Sequence, residues 1–470
     1  MDPDEKTKLH EQFINQLDLQ NPEVWAKMIL DDGEREDDIS EGDIILFSLV
    51  NRKMMEVDEE FYKTVEKKLP YKKYYVPYVY GFMVKVDKDN KKAIRELSKF
   101  SDKYLHCELV LNDSTATNLI PSEEYSLCGF TFFSASPFIY KNRTLKVLTE
   151  DENFDANINN YRYKNKSDLK NVVKRCALSA RAIQEYIPSS ELKGNIKVYN
   201  VGQAACSYLV SHSHRIMLDI GVDKRFLYQQ AANEKAPEVI RNNYQSIQKC
   251  QPEVVILSHW DTDHILGVCL LNKKIPALWI APDISERTGN IPVGTIRLYY
   301  YLCNKNKLLS VLGRDKGQCF YSNNCLAIYK GPSKGRNKNN NHGLIVVFGS
   351  STCNAEKIIF PGDCEYSAWP DKLKINQNFY SVLIVPHHGA KMVLEDSTMG
   401  QQDFRKRTAI FSYGLGNQYG HPSGEHVLKL KNRYGYDVFG TAEYNYIEIL
   451  INLQDDIKFL VIPHPRTTLE

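Results

Sequence analysis

Positions 259 to 264 hold four side chains able to ligate a metal: His259, Asp261, Asp263 and His264. They follow the apolar run Val254-Val255-Ile256-Leu257 by way of Ser258. A short apolar run of this kind reads as a buried strand. Two imidazoles and two carboxylates in one loop are costly to crowd together unless something offsets their desolvation. The chemistry such a loop supports is hydrolysis at two divalent cations held roughly 3.5–4 Å apart, with alternate side chains serving different ions. A capped strand-to-helix turn without metal would use some of the same residues, but has no need of all four.

A dinuclear site needs ligands from other strand ends, so the informative residues are His and Asp directly after apolar runs. Asp363 follows Ile358-Ile359-Phe360-Pro361-Gly362. His387 and His388 follow Leu383-Ile384-Val385-Pro386 and precede Gly389. His421 lies in Tyr419-Gly420-His421-Pro422-Ser423, beyond the run Thr408–Ser412 and its Gly-rich loop. Each has a plainer reading. Asp363 suits a turn, one of the paired histidines suits a donor to a backbone carbonyl, and His421 precedes a helix start. His212, His214, His342 and His426 are assigned no role.

Taken in order, these motifs resemble the metallo-β-lactamase fold. Within it they resemble the hydrolase domain at the end of the DNA-uptake competence protein ComEC. The counterparts are Val201-Gly202-Gln203, His259 through Gly267, Gly362-Asp363, His387-His388-Gly389-Ala390, Tyr419-Gly420-His421-Pro422 and a closing Gly440-Thr441, so the resemblance runs from about Asn195 to Ile462. It departs from the pattern in several places. Ala204-Ala205 stands where Gly-Asp is usual, Asp261 stands where a second His is usual, and Val268 replaces a glycine. The competence protein's membrane channel has no counterpart, so a role in DNA uptake does not carry over.

The resemblance implies an αββα sandwich holding two divalent ions, zinc or manganese. The implied ligands are His259, Asp261, Asp263, His264 and His387, with Asp363 bridging. Asp263, His388 and His421 are the implied catalytic residues, the two histidines touching substrate or donating a proton to the leaving oxygen. Asp219, in Leu218-Asp219-Ile220-Gly221, would support the ligands from outside. Asp261 adds oxygen character, which tilts the metal from zinc alone toward manganese or a mixed site.

The elements that must position these residues occupy the second part of the chain. Its 470 residues exceed one ordinary core. Of its 12 histidines, only His10 and His106 precede residue 190. We expect an α+β accessory domain over 1–190 and the catalytic domain over 191–470, meeting near Pro188-Ser189-Ser190. The first part predicts helices at Lys6–Leu19 and Ser167–Tyr186, an acidic stretch at Asp31–Asp38 and a polar loop at Asn157–Lys166. It also predicts strands at Ile44–Val50, Tyr74–Val86, Glu108–Leu111 and Phe130–Tyr140. The second part predicts a strand at Ile196–Val201, a hairpin of Cys206–Ser211 with Arg215–Asp219, and a helix at Pro237–Cys250. Strands follow at Val254–Leu257, Ala277–Ala281, Leu326–Lys330, Leu344–Gly349, Lys357–Phe360, Val382–Val385 and Thr408–Ser412. A helix at Ser423–Tyr434, stopped by Gly435, precedes strands at Asp437–Gly440 and Tyr446–Ile451. Strands interleaved with helices indicate an α/β sandwich.

Composition narrows the partners. A net charge of +2 gives no global pull toward nucleic acid or membrane. Two local stretches mix basic and polar or aromatic residues, Lys67–Tyr75 and Lys334–Asn341. They suit a phosphate backbone and equally suit a solvated strand face or insertion. No apolar run nears the ~18–20 residues that span a bilayer, and the start shows no signal peptide. The 11 cysteines form no CxxC pair, which fits reduced thiols in a cytoplasmic protein.

The expected function is phosphodiester hydrolysis by a metal-bound hydroxide, with nucleic acid as substrate and no membrane. The accessory domain would bind substrate or a protein partner. The near-neutral charge leaves room for recruitment, as for an effector in a multi-component defence system. Two other readings use the same residues: a hydrolase of a lactone, thioester or cyclic nucleotide, and a non-catalytic metal-binding scaffold.

Overall fold

The computed structural model describes residues 23–29, 39–51, 80–86, 88, 91–98, 105–111, 127–129, 138–140 and 143–150 and, with interruptions, 183–465. The chain forms two compact units. One comprises Met1–Leu169, Leu227–Lys235 and Asn290–Asn304; the other comprises Lys170–Phe226, Ala236–Gly289 and Lys305–Glu470.

The described strands of the first unit are β1 (Glu23–Ile29), β2 (Ile44–Asn51), β3 (Tyr80–Lys85), β4 (Leu105–Leu111), β5 (Leu127–Gly129), β6 (Phe138–Tyr140) and β7 (Arg143–Glu150). They build an antiparallel sheet in the order β3-β2-β1-β4-β7 and a β5-β6 ladder. A helix at Lys91–Ser98 buries Ile94, and Arg95 donates to the Ile39 carbonyl. Three predicted strands fall on β2, β3 and β4, and the fourth ends on β6. The predicted helix at 6–19, the acidic stretch, the loop at 157–166 and Lys67–Tyr75 lie outside the described residues. Of the helix predicted at 167–186, only 183 and 186 are described.

The second unit is the α/β sandwich that the motif order implied. Its strands are β8 (Gly194–Tyr199), β9 (Cys206–Ser211), β10 (Arg215–Ile220), β11 (Val254–Ile256), β12 (Leu278–Pro282), β13 (Leu308–Val311), β14 (Gln318–Ser322), β15 (Leu326–Lys330), β16 (Leu344–Gly349), β17 (Lys357–Phe360), β18 (Tyr380–Ile384), β19 (Arg407–Phe411), β20 (Tyr436–Gly440), β21 (Tyr444–Asn452) and β22 (Lys458–Pro465). One sheet runs β13-β12-β11-β10-β9-β8-β21-β22 and the other β14-β15-β16-β17-β18-β19-β20. Alternation along β16 shows how they pack. Leu344, Val346 and Phe348 join the core shared by both sheets, while Ile345 and Val347 face a second core. A strand buried on both faces reads as an unbroken apolar run. The second core lies under Tyr366, Trp369, Leu373, Leu430 and Tyr434, from segments outside the strands. A helix at Glu238–Lys249 buries Ile240, Tyr244 and Ile247, and its Asn243 side chain donates to the carbonyls of Asn200 and Asn445.

The parallel strands matter most. β10 to β13 run parallel in one sheet, and β17 to β20 in the other. Ligand sites gather at the carboxyl ends of such strands, and the candidate residues stand there. Among the described residues, no helix is long and apolar enough to cross a membrane.

A buried ion pair sits in the same unit. The Lys330 side chain is fully buried, with Nζ 2.8 Å from Glu286 Oε2 and donating to the His342 carbonyl. Burial disfavours its charge and lowers its pKa, against the opposing pull of Glu286. Lys330→Ala would leave Glu286 charged and unpaired. We expect a loss of about 3–5 kcal/mol, and a much smaller loss for a Lys330→Met/Glu286→Leu double variant, read by denaturant melts.

Candidate metal centre

Asp219 sets the site. At the end of β10 its backbone turns to φ 53, with a register shift between Leu218 and Ile220. Asp tolerates this left-handed region better than most residues. The turn aims its carboxylate at the loop after β11. Oδ1 accepts from Ser258 N at 2.6 Å, and Oδ2 accepts from Ser258 Oγ at 2.8 Å and from His264 Nδ1 at 2.8 Å. Because Ser258 Oγ donates to Asp219, its lone pairs face His259 Nδ1, 3.0 Å away. His388 Nδ1 lies 2.6 Å from the Ser412 carbonyl, which can only accept. All three imidazoles therefore carry the proton on Nδ1, and each presents Nε2 to the centre.

The Nε2 atoms face carboxylates. His259 Nε2 is 3.2 Å from Asp261 Oδ2, and His388 Nε2 is 3.1 Å from Asp263 Oδ2. Asp363 divides its oxygens: Oδ1 is 3.2 Å from His264 Nε2, while Oδ2 is 3.7 Å from both His259 Nε2 and His387 Nε2. Asp261 precedes the short helix Thr262–Ile265, yet its side chain makes no cap hydrogen bond. Trp260 pins the loop by donating Nε1 to the Pro282 carbonyl at 2.8 Å.

These residues fit a metal. The Nε2 atoms of His259 and His264 are buried, and neither has an aligned hydrogen bond. Such orphaned atoms are costly unless a group other than the protein's own side chains satisfies them. Among the described residues, two groups bring their ligand atoms within 4.8 Å of one another: His259, His264 and Asp363, and Asp263, His264 and His388. His264 belongs to both.

The electrostatics agree. Burial and the nearby His264 disfavour the charged form of His259, but Asp261 and Asp363 outweigh them and raise its pKa. His264 is raised further, because Asp363, Asp219 and Asp263 overcome its burial. His388 is raised by its bond to Asp263 and by Asp363, again against burial. Burial would raise Asp363, but His264, His387 and His259 hold it well below the usual carboxylate range. Asp263 is lowered by His264 and His388 against its burial. In the metal-free protein, protons on the histidines balance the carboxylates.

A pH dependence follows. The raised histidines stabilise the metal-free fold fully below about 6.5, and this is lost as pH rises through their folded pKa values. The lowered carboxylates stabilise it fully above about 4, and this is lost as pH falls through theirs. Chelator-treated protein should thus show the cluster's full contribution between about pH 4 and 6.5. Cations must displace the histidine protons, so metal affinity should fall as pH drops. Thermal melts with chelator and metal titrations across pH check both.

Each singled-out residue has a place. His259, Asp261, Asp263, His264, Asp363 and His388 converge, all buried except half-buried Asp263. His387 lies at the edge, its side chain 25% exposed. It and His388 both adopt positive φ, 49 and 53, ahead of Gly389 at 84. Such backbone strain gathers at functional sites. His421 lies beside His387, ring centroids 5.6 Å apart, and stacks on Tyr419. Burial, then the neighbouring His388 and His387, lowers its pKa to about 3. It is neutral at neutral pH and offers an N–H hydrogen bond rather than a proton. Ser258 and Ser412 escaped sequence reasoning, since nothing in their spacing marks them. His426 is a core residue, bonded to the Ala390 carbonyl and Tyr366 hydroxyl. Of the basic loop, 338–341 forms a helical turn and 334–337 lies outside the described residues. A cavity of about 40 Å³ runs from His264, Asp363, His387 and His388 to Leu218, Val346 and Phe360. That is room for more than one water.

No family model and no curated protein matches the chain. Solved structures do. A metallo-β-lactamase fold protein, YhfI from Bacillus subtilis, shares 11% identity over 57% of this chain and 100% of its own, with a TM-score of 0.32. The short form of human tRNase Z shares 12% over 58% and 100%, with a TM-score of 0.28. A diphosphatase of the PhnP family shares 7% over 53% and 87%, with a TM-score of 0.28.

Proposed function

We propose that the second unit is a metal-dependent hydrolase of phosphodiesters acting on nucleic acid. One observation carries this reading: three imidazoles, each held at Nδ1, turn Nε2 toward carboxylates at the ends of parallel strands. His259, Asp261, His387 and one oxygen of Asp363 would hold one cation. Asp263, His264, His388 and the other oxygen would hold a second. A pair of divalent cations, zinc or manganese, supplies charge stabilisation at phosphorus and a more acidic water.

The chain's own groups do the rest. Asp363 ties the two groups together through its divided oxygens. Asp219 and Ser412 keep the imidazoles in one tautomer and orientation. His421, at the edge, directs an N–H to the leaving oxygen. The cavity beneath admits water.

The order of motifs, like that of the ComEC hydrolase domain, supports phosphodiesters over lactones and thioesters. We propose the first unit as the part that binds substrate or a partner protein, and a setting such as a multi-component defence system, in which activity awaits recruitment.

The test is cleavage of single- and double-stranded DNA and RNA with added manganese or zinc, by the protein and by an Asp263→Ala/His264→Ala variant. Metal-dependent degradation lost in the variant supports the proposal. Cleavage that persists in the variant contradicts the site. Turnover of a lactone, thioester or cyclic nucleotide, with no attack on any nucleic acid, replaces the substrate.

A further inference from the structure

We propose that Arg225 is a positioning residue: clamped on Asp223, it holds the loop that carries His421 over the metal centre. This rests on the hydrolase reading above. The loop follows β19 and contributes no proposed metal ligand, so the cations alone do not place it.

The contacts form one chain. The Asp223 side chain is almost fully buried. Its Oδ2 accepts from Arg225 Nη2 at 2.7 Å and Nε at 3.1 Å, and from Gln203 N at 2.9 Å. Its Oδ1 accepts from Arg225 N at 2.8 Å. With the Nε–Nη2 edge of its guanidinium fixed, Arg225 donates Nη1 to the Gly416 carbonyl at 2.8 Å. Asn417, next along, staples the loop. Its Nδ2 donates to the carbonyls of Gly414 at 2.8 Å and His421 at 2.6 Å, and its Oδ1 accepts from His421 N at 3.0 Å. His421 is thus fixed on both sides of its own backbone to a residue adjacent to the Arg225 contact.

The clamp also accounts for Val201-Gly202-Gln203, which has no chemistry of its own. The loop presses so closely on it that a Cβ on Gly414 would lie 2.8 Å from Gln203 N. Asp223 N donates to the Val201 carbonyl at 3.0 Å, which ties the clamp to the same turn. Three segments, 201–203, 223–225 and 414–421, are joined through one carboxylate. A lysine at 225 has no fork with which to grip Asp223 and Gly416 together.

In the proposed reaction a water oxygen bonds to phosphorus, giving up a proton to solvent, and the bond to the leaving oxygen breaks. The electron pair stays on that oxygen, and solvent later supplies its proton. An N–H from His421 helps most when the leaving oxygen is most basic. The probes are methyl phenyl phosphate and methyl p-nitrophenyl phosphate, which differ in that basicity.

For the metal-loaded full chain, Arg225→Ala should lower kcat on the phenyl diester by roughly 10²-fold, the scale of loss from a small misplacement. The p-nitrophenyl diester should suffer much less. Arg225→Lys should fall between, metal content should be unchanged, and Arg225→Ala/His421→Ala should be no worse than His421→Ala. Amide exchange at Gly414, Gly416, Asn417 and His421 should rise in Arg225→Ala while that at 258–264 stays put. Equal losses on both diesters, additive losses in the double variant, or unchanged exchange would overturn the proposal. If the unaltered protein hydrolyses neither diester and cleaves no nucleic acid, the phosphodiesterase reading fails, and the exchange measurement still decides whether Arg225 holds the loop.

Discussion

His264→Ala is expected to abolish stoichiometric metal binding and, with it, hydrolysis. His264 is the one residue in both ligand groups, its ring is fully buried, and its Nδ1 is held by Asp219. Removing it deletes a proposed ligand beside Asp363 and strips Asp219 and Asp363, both buried, of their nearest imidazole. Asp219→Asn makes a graded comparison. Asp219 touches no proposed cation position, yet it fixes Ser258 and the His264 tautomer. Outer partners of this kind cost roughly 10–100-fold in metal affinity or activity when changed. The His264 variant should therefore lose more than the Asp219 variant. Metal titration by calorimetry, with activity measured in parallel, gives the order. Equal affinity in both variants and the unaltered protein would falsify the ligand assignment.

Gly221→Ala is expected to strike both stability and metal affinity. A Cβ at this position would lie 1.6 Å from the Asp263 carbonyl oxygen and 2.7 Å from that of Ala205. Both are backbone atoms, which cannot swing aside as a side-chain tip can. The same Asp263 carbonyl accepts Ala205 N at 3.2 Å, and Gly221 N donates to the Ala205 carbonyl at 2.7 Å. Overpacking usually costs about 1–3 kcal/mol, and this contact belongs at or beyond the upper end. The displaced group carries Asp263, so affinity for metal should fall with stability. Gly424→Ala is the control: nothing lies within 4 Å of its Cβ, and a compatible Gly→Ala change stabilises by roughly 0.4–1 kcal/mol. Denaturant melts and metal titration of both variants check the pair.

The parts of the fold visible in the sequence share one physical property. β11, β16, β17 and β18 are buried strands that read largely as runs of Val, Ile, Leu and Phe, and β19, equally buried, is legible at Ala409-Ile410-Phe411. Polar residues appear where the strands end, and that boundary marked His259, Asp363 and His387 with His388. The hairpin of β9 and β10 and the helix at Glu238–Lys249 were legible for similar reasons, although Pro237 precedes the helix rather than entering its first turn. β1, β5, β7, β13, β14 and β22 were not anticipated. β14, for example, is only partly buried and carries mixed residues with no clean alternation. The helix expected over Ser423–Tyr434 is α-helical only over Gly424–Leu428, then widens into a π turn over Lys429–Arg433, and Ser423 supplies no side-chain cap.

For the site, most of the residues singled out in the sequence converge, while the division into ligands and catalytic groups came from the resemblance and not from spacing. Asp219 was anticipated as a supporting carboxylate through the resemblance, in which Leu218-Asp219-Ile220-Gly221 matches a turn carboxylate of the family. Its triple grip on Ser258 and His264 depends on a positive φ that no spacing reveals. The resemblance made His387 the ligand and His388 the catalytic residue, a division that position alone does not support, since both follow the same strand. Their left-handed backbone turns one ring into the cluster and leaves the other at the edge. Ser412 and Arg225 act through a backbone carbonyl or on one, and such contacts leave no pattern in side-chain type.

Anomalous diffraction from crystals soaked in manganese or zinc, with data at each metal's absorption edge, tests the central claim most directly. The account predicts a peak on each side of the Asp363 carboxylate, one toward His259 and Asp261 and one toward His264, Asp263 and His388. No peak within bonding distance of these Nε2 atoms, or metal bound only elsewhere on the chain, would contradict it.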